Sequence, residues 1–275
     1  MGEFYNPDKL YKGGSRNNSL INKKMIFRVL GVLLFIESAM FLLCAAISLC
    51  YGEQDYQYFL YTILLNTLVG GVLLICSRGA ENRLTRRDGY CIVTFTWFLF
   101  TLFGMLPFYF SGGIPSVTDA FFETMSGFTT TGATILDDIE SLSHGLLFWR
   151  SLTQWIGGLG IVFFTIAVLP IFGGGTIQLF SAEAIGVTHD KTHPRIDVMA
   201  KWLWMIYAIL TVVETMLLMI GGMSFFDAVC HSFSTTATGG YSTKQASVAY
   251  WNSPFIEYVI AVSYTHLRAH ETLAN

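Results

Sequence analysis

Asp119 to Thr134 reads DAFFETMSGFTTTGAT, and Asp227 to Ser242 reads DAVCHSFSTTATGGYS. Set one over the other without gaps, Asp119 meets Asp227, Ala120 meets Ala228, Ser126 meets Ser234 and Gly132 meets Gly240. Their last residues pair Thr130-Thr131-Gly132-Ala133-Thr134 with Thr238-Gly239-Gly240-Tyr241-Ser242. Each copy predicts a short amphipathic helix that runs into a Thr/Gly/Ser-rich loop. An internal repeat constrains a fold more than any single residue, so the rest of the chain is read around it.

The flanks are apolar and long. Met25–Tyr51, Tyr56–Cys76, Tyr90–Phe110, Leu147–Ile171 and Trp202–Gly222 each approach or exceed the roughly 20 residues that cross a bilayer. Val117–Phe128 and Ser224–Thr236 are too short to cross and are the two short helices of the repeat. A sixth apolar run starts at Pro254 and stops after about nine residues. Hydrophobic residues make up 53% of the 275, charged residues 13%, and mean hydropathy is +0.52, which gives an all-α integral membrane protein. A net charge of −3 and no basic patch that argues for nucleic acid leave membrane lipid as the surroundings. The five cysteines form no CxxC and read as small buried hydrophobes.

Lys and Arg set the orientation. Lys9 to Arg28, Arg78 to Arg87, and Lys191, Arg195 and Lys201 fall on one side, whereas the two segments with the repeats hold only Arg150, at a span edge, and Lys244. The positive-inside rule then puts the N-terminal tail (1–24) in the cytoplasm and the repeats outside.

At membrane depth a non-helical backbone is tolerated only where protein buries it or a water-filled cavity adjoins it. Glycines let successive carbonyls point one way, small side chains leave the path open, and such carbonyls replace the water around a dehydrated alkali cation. Each short helix aims its negative end at the same place. A polar turn between helices is the plain alternative for one copy, and duplication between spans argues against it. The candidate ion-binding residues are therefore Thr130, Thr131, Gly132 and Ala133 with Thr238, Gly239, Gly240 and Tyr241.

SGFTTTGAT, FWRSLTQWIGGLGIVFFTIAVLP, QLFSAE, DKTHPRI and STTATGGYST together resemble the Trk/Ktr/HKT superfamily of potassium transporters, in its bacterial TrkH-like branch. The resemblance covers about Met25 to Ile260. It implies a pore of four successive units, each an outer helix, pore helix, filter loop and inner helix, with two extra helices in front. On that plan 25–87 is the extra pair, 88–195 the first unit and 196–261 a truncated second, so the chain is expected to be an N-terminal fragment. It also implies K⁺ as the transported ion with no cofactor, an inner (plasma) membrane location, a homodimer when intact, and a cytoplasmic nucleotide-binding regulatory subunit. Residues 262–275, VSYTHLRAHETLAN, resemble a translated sequencing-adapter read-through and are set aside as a non-native tail.

Other residues bear on the reading. No nucleophile–base pair or metal-ligand spacing stands in the spans, so neither an enzyme nor a catalytic residue is expected. Glu37 and Glu214 lie inside apolar spans, where a site role and pairing with a neighbouring helix are equally open. Glu123 in the first short helix is matched by His231 in the second, so no identical role is required of both. Gly157, Gly158 and Gly160 read as close helix packing and, more sharply, as a hinge. Phe172–Gly175 reads as a helix end. Asp137, Asp138 and Glu140 form an acidic stretch with no base nearby in sequence. A secondary transporter of another cation or small solute, built on broken helices, and a non-conducting membrane sensor are the competing readings.

Overall fold

A computed structural model describes residues 21–80, 86–158, 160 and 196–273, and the regular structure among them is helical throughout. Among the described residues four helical segments are long and apolar enough to cross a membrane: Lys23–Cys50, Tyr56–Cys76, Arg87–Phe110 and Trp202–Ile220. The second half of the expected Leu147–Ile171 span, the Phe172–Gly175 run, and Lys191 and Arg195 lie outside the described residues, as does most of the N-terminal tail.

Helix α1 (Lys23–Cys50) starts at Asn22, whose side-chain oxygen accepts from Met25 N at 3.2 Å, an N-cap that satisfies one free amide. Asn22 N donates to Asp88 Oδ1 at 2.8 Å and so ties the start of α3 (Arg86–Gly104) to α1. Helix α2 (Tyr56–Cys76) returns along α1, and the two approach closely at glycines. A Cβ on Gly31 would stand 2.9 Å from Gly70 O, and one on Gly70 3.1 Å from Gly31 O. Between the two helices lies a polar pair: buried Asn66 donates through Nδ2 to Glu37 Oε2 at 3.1 Å and to Leu34 O at 3.2 Å. Of the two roles open to Glu37, pairing with the neighbouring helix is the one seen.

After α3 the chain breaks at Met105, runs through α4 (Leu106–Phe110) and turns into α5 (Val117–Phe128), the first short helix. Helix α6 (His144–Gly158) brings Trp149 into the core, with its Nε1 donating to Gly104 O at 2.8 Å. Trp149 meets Phe41 of α1 at 4.4 Å between ring centroids and Phe128, the last residue of α5, at 6.0 Å. This aromatic cluster fixes the end of α5 against α1 and α6. Helix α7 (Ile196–Ile220), α8 (Phe225–Thr236), a 3₁₀ turn (Ser247–Trp251) and α9 (Pro254–Leu273) repeat the order of long helix, short helix, loop and following helix. The sixth run does not stop after nine residues as a helix. Polar residues after Ile260 lower hydropathy, but VSYTHLRAHETL contains neither Gly nor Pro and has no helix breaker, so α9 continues to Leu273.

Candidate functional site

The two short helices begin alike. Ser116 Oγ accepts from Asp119 N at 3.4 Å and Ser224 Oγ from Asp227 N at 3.1 Å, each serine capping the helix with an acid in its first turn. They also end alike. Thr130 N donates to Gly127 O at 3.0 Å and Thr131 N to Ser126 O at 2.9 Å; Thr238 N donates to Thr235 O at 2.8 Å and Gly239 N to Ser234 O at 2.8 Å. This pair of bonds is a Schellman cap, in which the residue just past the helix takes a left-handed backbone, usually as glycine. Here it is threonine both times, with φ +52° at Thr130 and at Thr238. A left-handed backbone costs a residue with a Cβ roughly 1–2 kcal/mol, and strain of that size collects at functional sites. Two residues on, Gly132 and Gly240 are left-handed again, at φ +73° and +90°.

The side chains that hold the loops differ. Glu123, buried on α5, accepts from Thr134 Oγ1 at 2.9 Å through Oε1 and from Ile135 N at 3.0 Å through Oε2. Its Oε1 also takes Arg150 Nε at 2.7 Å, an ion pair in which both side chains are buried. Arg150, on α6, donates through Nη1 to Ser242 O at 2.9 Å and sets its guanidinium 3.6 Å from the centre of the Tyr241 ring. Tyr241 closes the circuit: its hydroxyl donates to Glu123 O at 2.8 Å and lies 3.3 Å from Ala133 O. One turn along α6, Gln154 Oε1 accepts from Tyr241 N at 3.1 Å and Ser234 Oγ at 2.8 Å. The helix that follows the first loop therefore supports the second.

In the second copy His231 stands where Glu123 stands in the first. Its Nδ1 is 2.8 Å from Asp227 O, an acceptor only, so Nδ1 is the donor and Nε2 accepts from Ser242 Oγ at 2.9 Å. Glu123 reaches Thr134 and His231 reaches Ser242, which are themselves equivalent in the repeat. The two residues thus share a task, tethering the end of the loop to the short helix, that their differing types concealed. Arg150 is no mere span-edge charge either. A charge inside an apolar run calls for a partner, and that was the available signal.

The eight candidate ligands are placed as follows. Thr131, Ala133 and Gly240 are exposed, Thr130, Gly132 and Thr238 half-buried, and Gly239 and Tyr241 buried. The loops touch at Gly132, where a Cβ would overlap Gly239 O, while a Cβ on Gly240 would meet nothing within 4 Å. The Ala133 carbonyl is hydrogen-bonded within the protein. It accepts Ser126 Oγ at 2.7 Å and faces the Tyr241 hydroxyl at 3.3 Å. Thr238 O accepts from the Tyr264 hydroxyl at 2.6 Å.

Around the loops, Glu214 of α7 is buried and accepts from Thr236 Oγ1 at 3.4 Å, at the end of α8. The acidic stretch does have a base: Lys244 Nζ lies 3.4 Å from Glu140 Oε2, and Gln245 binds both Glu140 through N (3.3 Å) and Ile139 N through Oε1 (3.0 Å). That base comes from the second copy, far off in sequence. The glycines of α6 are packed, since a Cβ on Gly157 would overlap Phe128 O and one on Gly158 would stand 2.6 Å from Tyr207 Oη.

Residues 55–264 match the pattern of the TrkH family, described as cation transport protein. Trk system potassium uptake protein TrkH of Salmonella typhimurium is 42% identical over 241 residues, covering 87% of this chain and 50% of that protein. Trk system potassium uptake protein TrkG of Escherichia coli is 33% identical over 248 residues, covering 90% and 51%. The crystal structure of the potassium transporter TrkH from Vibrio parahaemolyticus has a TM-score of 0.73 to this chain at 36% identity, covering 87% of this chain and 48% of that one. The chain spans about half the length of the relatives it matches.

Proposed function

The chain belongs to the TrkH family of cation transport proteins, and we propose that it serves K⁺ uptake across the membrane, with the two loops as selectivity filters. The observation that carries this is the shared backbone: two short helices whose loops touch at Gly132 and Gly239, each closed by a left-handed threonine and a left-handed glycine. Helix carboxyl ends favour a cation, and rings of carbonyls replace its water. Carbonyls of Thr130, Thr131, Gly132 and Ala133 with those of Thr238, Gly239, Gly240 and Tyr241 are the proposed ligands; those of Ala133 and Thr238 also accept the hydroxyls of Ser126 and Tyr264. The relatives' names, potassium uptake proteins, favour K⁺ as the ion. We further propose that these are two of four filter segments of one pore, in a homodimer of the inner membrane that carries a nucleotide-binding regulatory subunit on its cytoplasmic face.

The test joins residues 25–261 to the C-terminal half of the Salmonella typhimurium relative and expresses the chimaera in a host without K⁺ uptake. Growth at low K⁺ is expected; no growth, with the chimaera present in the membrane, overturns the proposal. Orientation has its own check. In a cysteine-free background, Ser247→Cys is expected to react with an impermeant thiol reagent from outside and Ala80→Cys only after the membrane is opened.

A further inference from the structure

Where the start of α1 meets the end of α2, a cavity of about 310 Å³ is lined by Arg28, Leu74, Ser77, Arg78, Gly79 and Ala80. Lys24 adds a third cation at the rim, with Nζ 3.4 Å from Arg78 O. Lys23, Lys24 and Arg78 are exposed and Arg28 is half-buried. Asp88, the acid on the adjoining helix α3, is fully buried and accepts from Asn22 N. The apolar span of α2 ends at Cys76, so the cavity lies at the level where hydrocarbon gives way to headgroups. Leading to it along α2 is a strip of exposed apolar residues at helical spacing, Leu68, Val72 and Ile75, followed by Arg78 one turn on.

We propose that this cavity binds the phosphate of an anionic phospholipid whose acyl chains lie on the Leu68–Val72–Ile75 strip. Guanidinium groups present planar forks of donors that match phosphate oxygens, and basic pockets between membrane helices take acidic headgroups. A zwitterionic headgroup carries its own ammonium and gains far less from the three cations. The apolar strip favours lipid over free phosphate, because it offers a place for the chains. The assignment to the cytoplasmic leaflet rests on the orientation proposed above; the binding does not, and transport is not its readout.

The experiment reconstitutes the chain in nanodiscs of equal phosphatidylglycerol and phosphatidylcholine, re-extracts it in neutral detergent, and weighs the retained lipids by mass spectrometry. Wild type is expected to retain phosphatidylglycerol preferentially. Arg28→Gln with Arg78→Gln is expected to lower that preference about 30-fold, about 1 kcal/mol for each arginine, whereas Arg28→Lys with Arg78→Lys keeps most of it. Equal retention of the two lipids by wild type overturns the proposal without any variant, as does an unchanged preference in the doubly neutralised chain. Complete displacement of phosphatidylglycerol by excess inorganic phosphate would make this a phosphate site and overturn the lipid assignment.

Discussion

Loops 119–134 and 227–242 close their helices with the same two hydrogen bonds and place threonine and glycine in the same left-handed conformations. Around that common backbone the chemistry diverges. The first is held by a buried ion pair, Glu123–Arg150, and the second by a neutral histidine–serine contact, His231–Ser242. The first is exposed along Thr131 and Ala133, while in the second Gly239 and Tyr241 are buried, Thr238 is half-buried and Gly240 is exposed. What the repeat keeps is the path of the backbone, and what it lets vary is the means of holding that path. This is the expected pattern if carbonyls, which every residue carries, do the binding.

The comparison breaks most visibly at the ion pair. Arg150→Gln leaves a buried carboxylate without its cation, a change that costs about 3–5 kcal/mol. His231→Gln at the matching place exchanges one neutral contact for another and is expected to cost about 1 kcal/mol. Thermal unfolding of the purified variants reads both. Equal losses would mean that the two tethers are energetically alike despite their chemistry.

Next come the glycines. Gly132→Ser combines a left-handed backbone with a collision against the Gly239 carbonyl, while Gly240→Ser meets open space and bears only the backbone cost, roughly 1–2 kcal/mol. In the chimaera, Rb⁺ over Na⁺ discrimination is expected to fall clearly for Gly132→Ser and less for Gly240→Ser, at matched protein levels. Gly71→Ala is the control, because nothing lies within 4 Å of its Cβ position; Gly157 is unsuitable, being packed on Phe128 O. Unchanged discrimination in both serine variants would make the loops plain turns.

The smallest effect sharpens the likeness. Thr130→Gly and Thr238→Gly each relieve a left-handed threonine and add chain entropy to the unfolded state. The two shifts in stability are expected to agree in sign and to stay within about 1 kcal/mol. Opposite signs would show that the matching φ angles conceal different strain.

Much of this backbone was legible in the residues. Val117–Phe128 is the helix that length and apolar flanks mark out, and Ser224–Thr236 begins one residue before the observed Phe225–Thr236. The Ser-x-x-Asp caps at Ser116 and Ser224 were equally available and extend the repeat by three residues at its front. The supports were not legible, because each joins residues distant in sequence: Glu123 to Arg150, Gln154 to Tyr241, Glu140 to Lys244. Counting Arg150 as a topological charge concealed its partner, and comparing Glu123 with His231 by type concealed that both reach the same hydroxyl position. The hydroxyls on the Ala133 carbonyl were equally illegible, since Ser126 and Tyr241 meet it only in the folded chain.

The support that α6 gives the second loop runs forward along the chain, and so bears on the order of biosynthesis. Gln154 precedes Ser234 by 80 residues, and Arg150 precedes Ser242 by 92. Chains begin to fold from the N-terminus while still being made. When the second loop leaves the ribosome, the helix that receives its Tyr241 amide and Ser242 carbonyl has already been synthesised. The earlier segment is thus a template laid down in advance, and an error in placing α6 is inherited by a loop not yet translated.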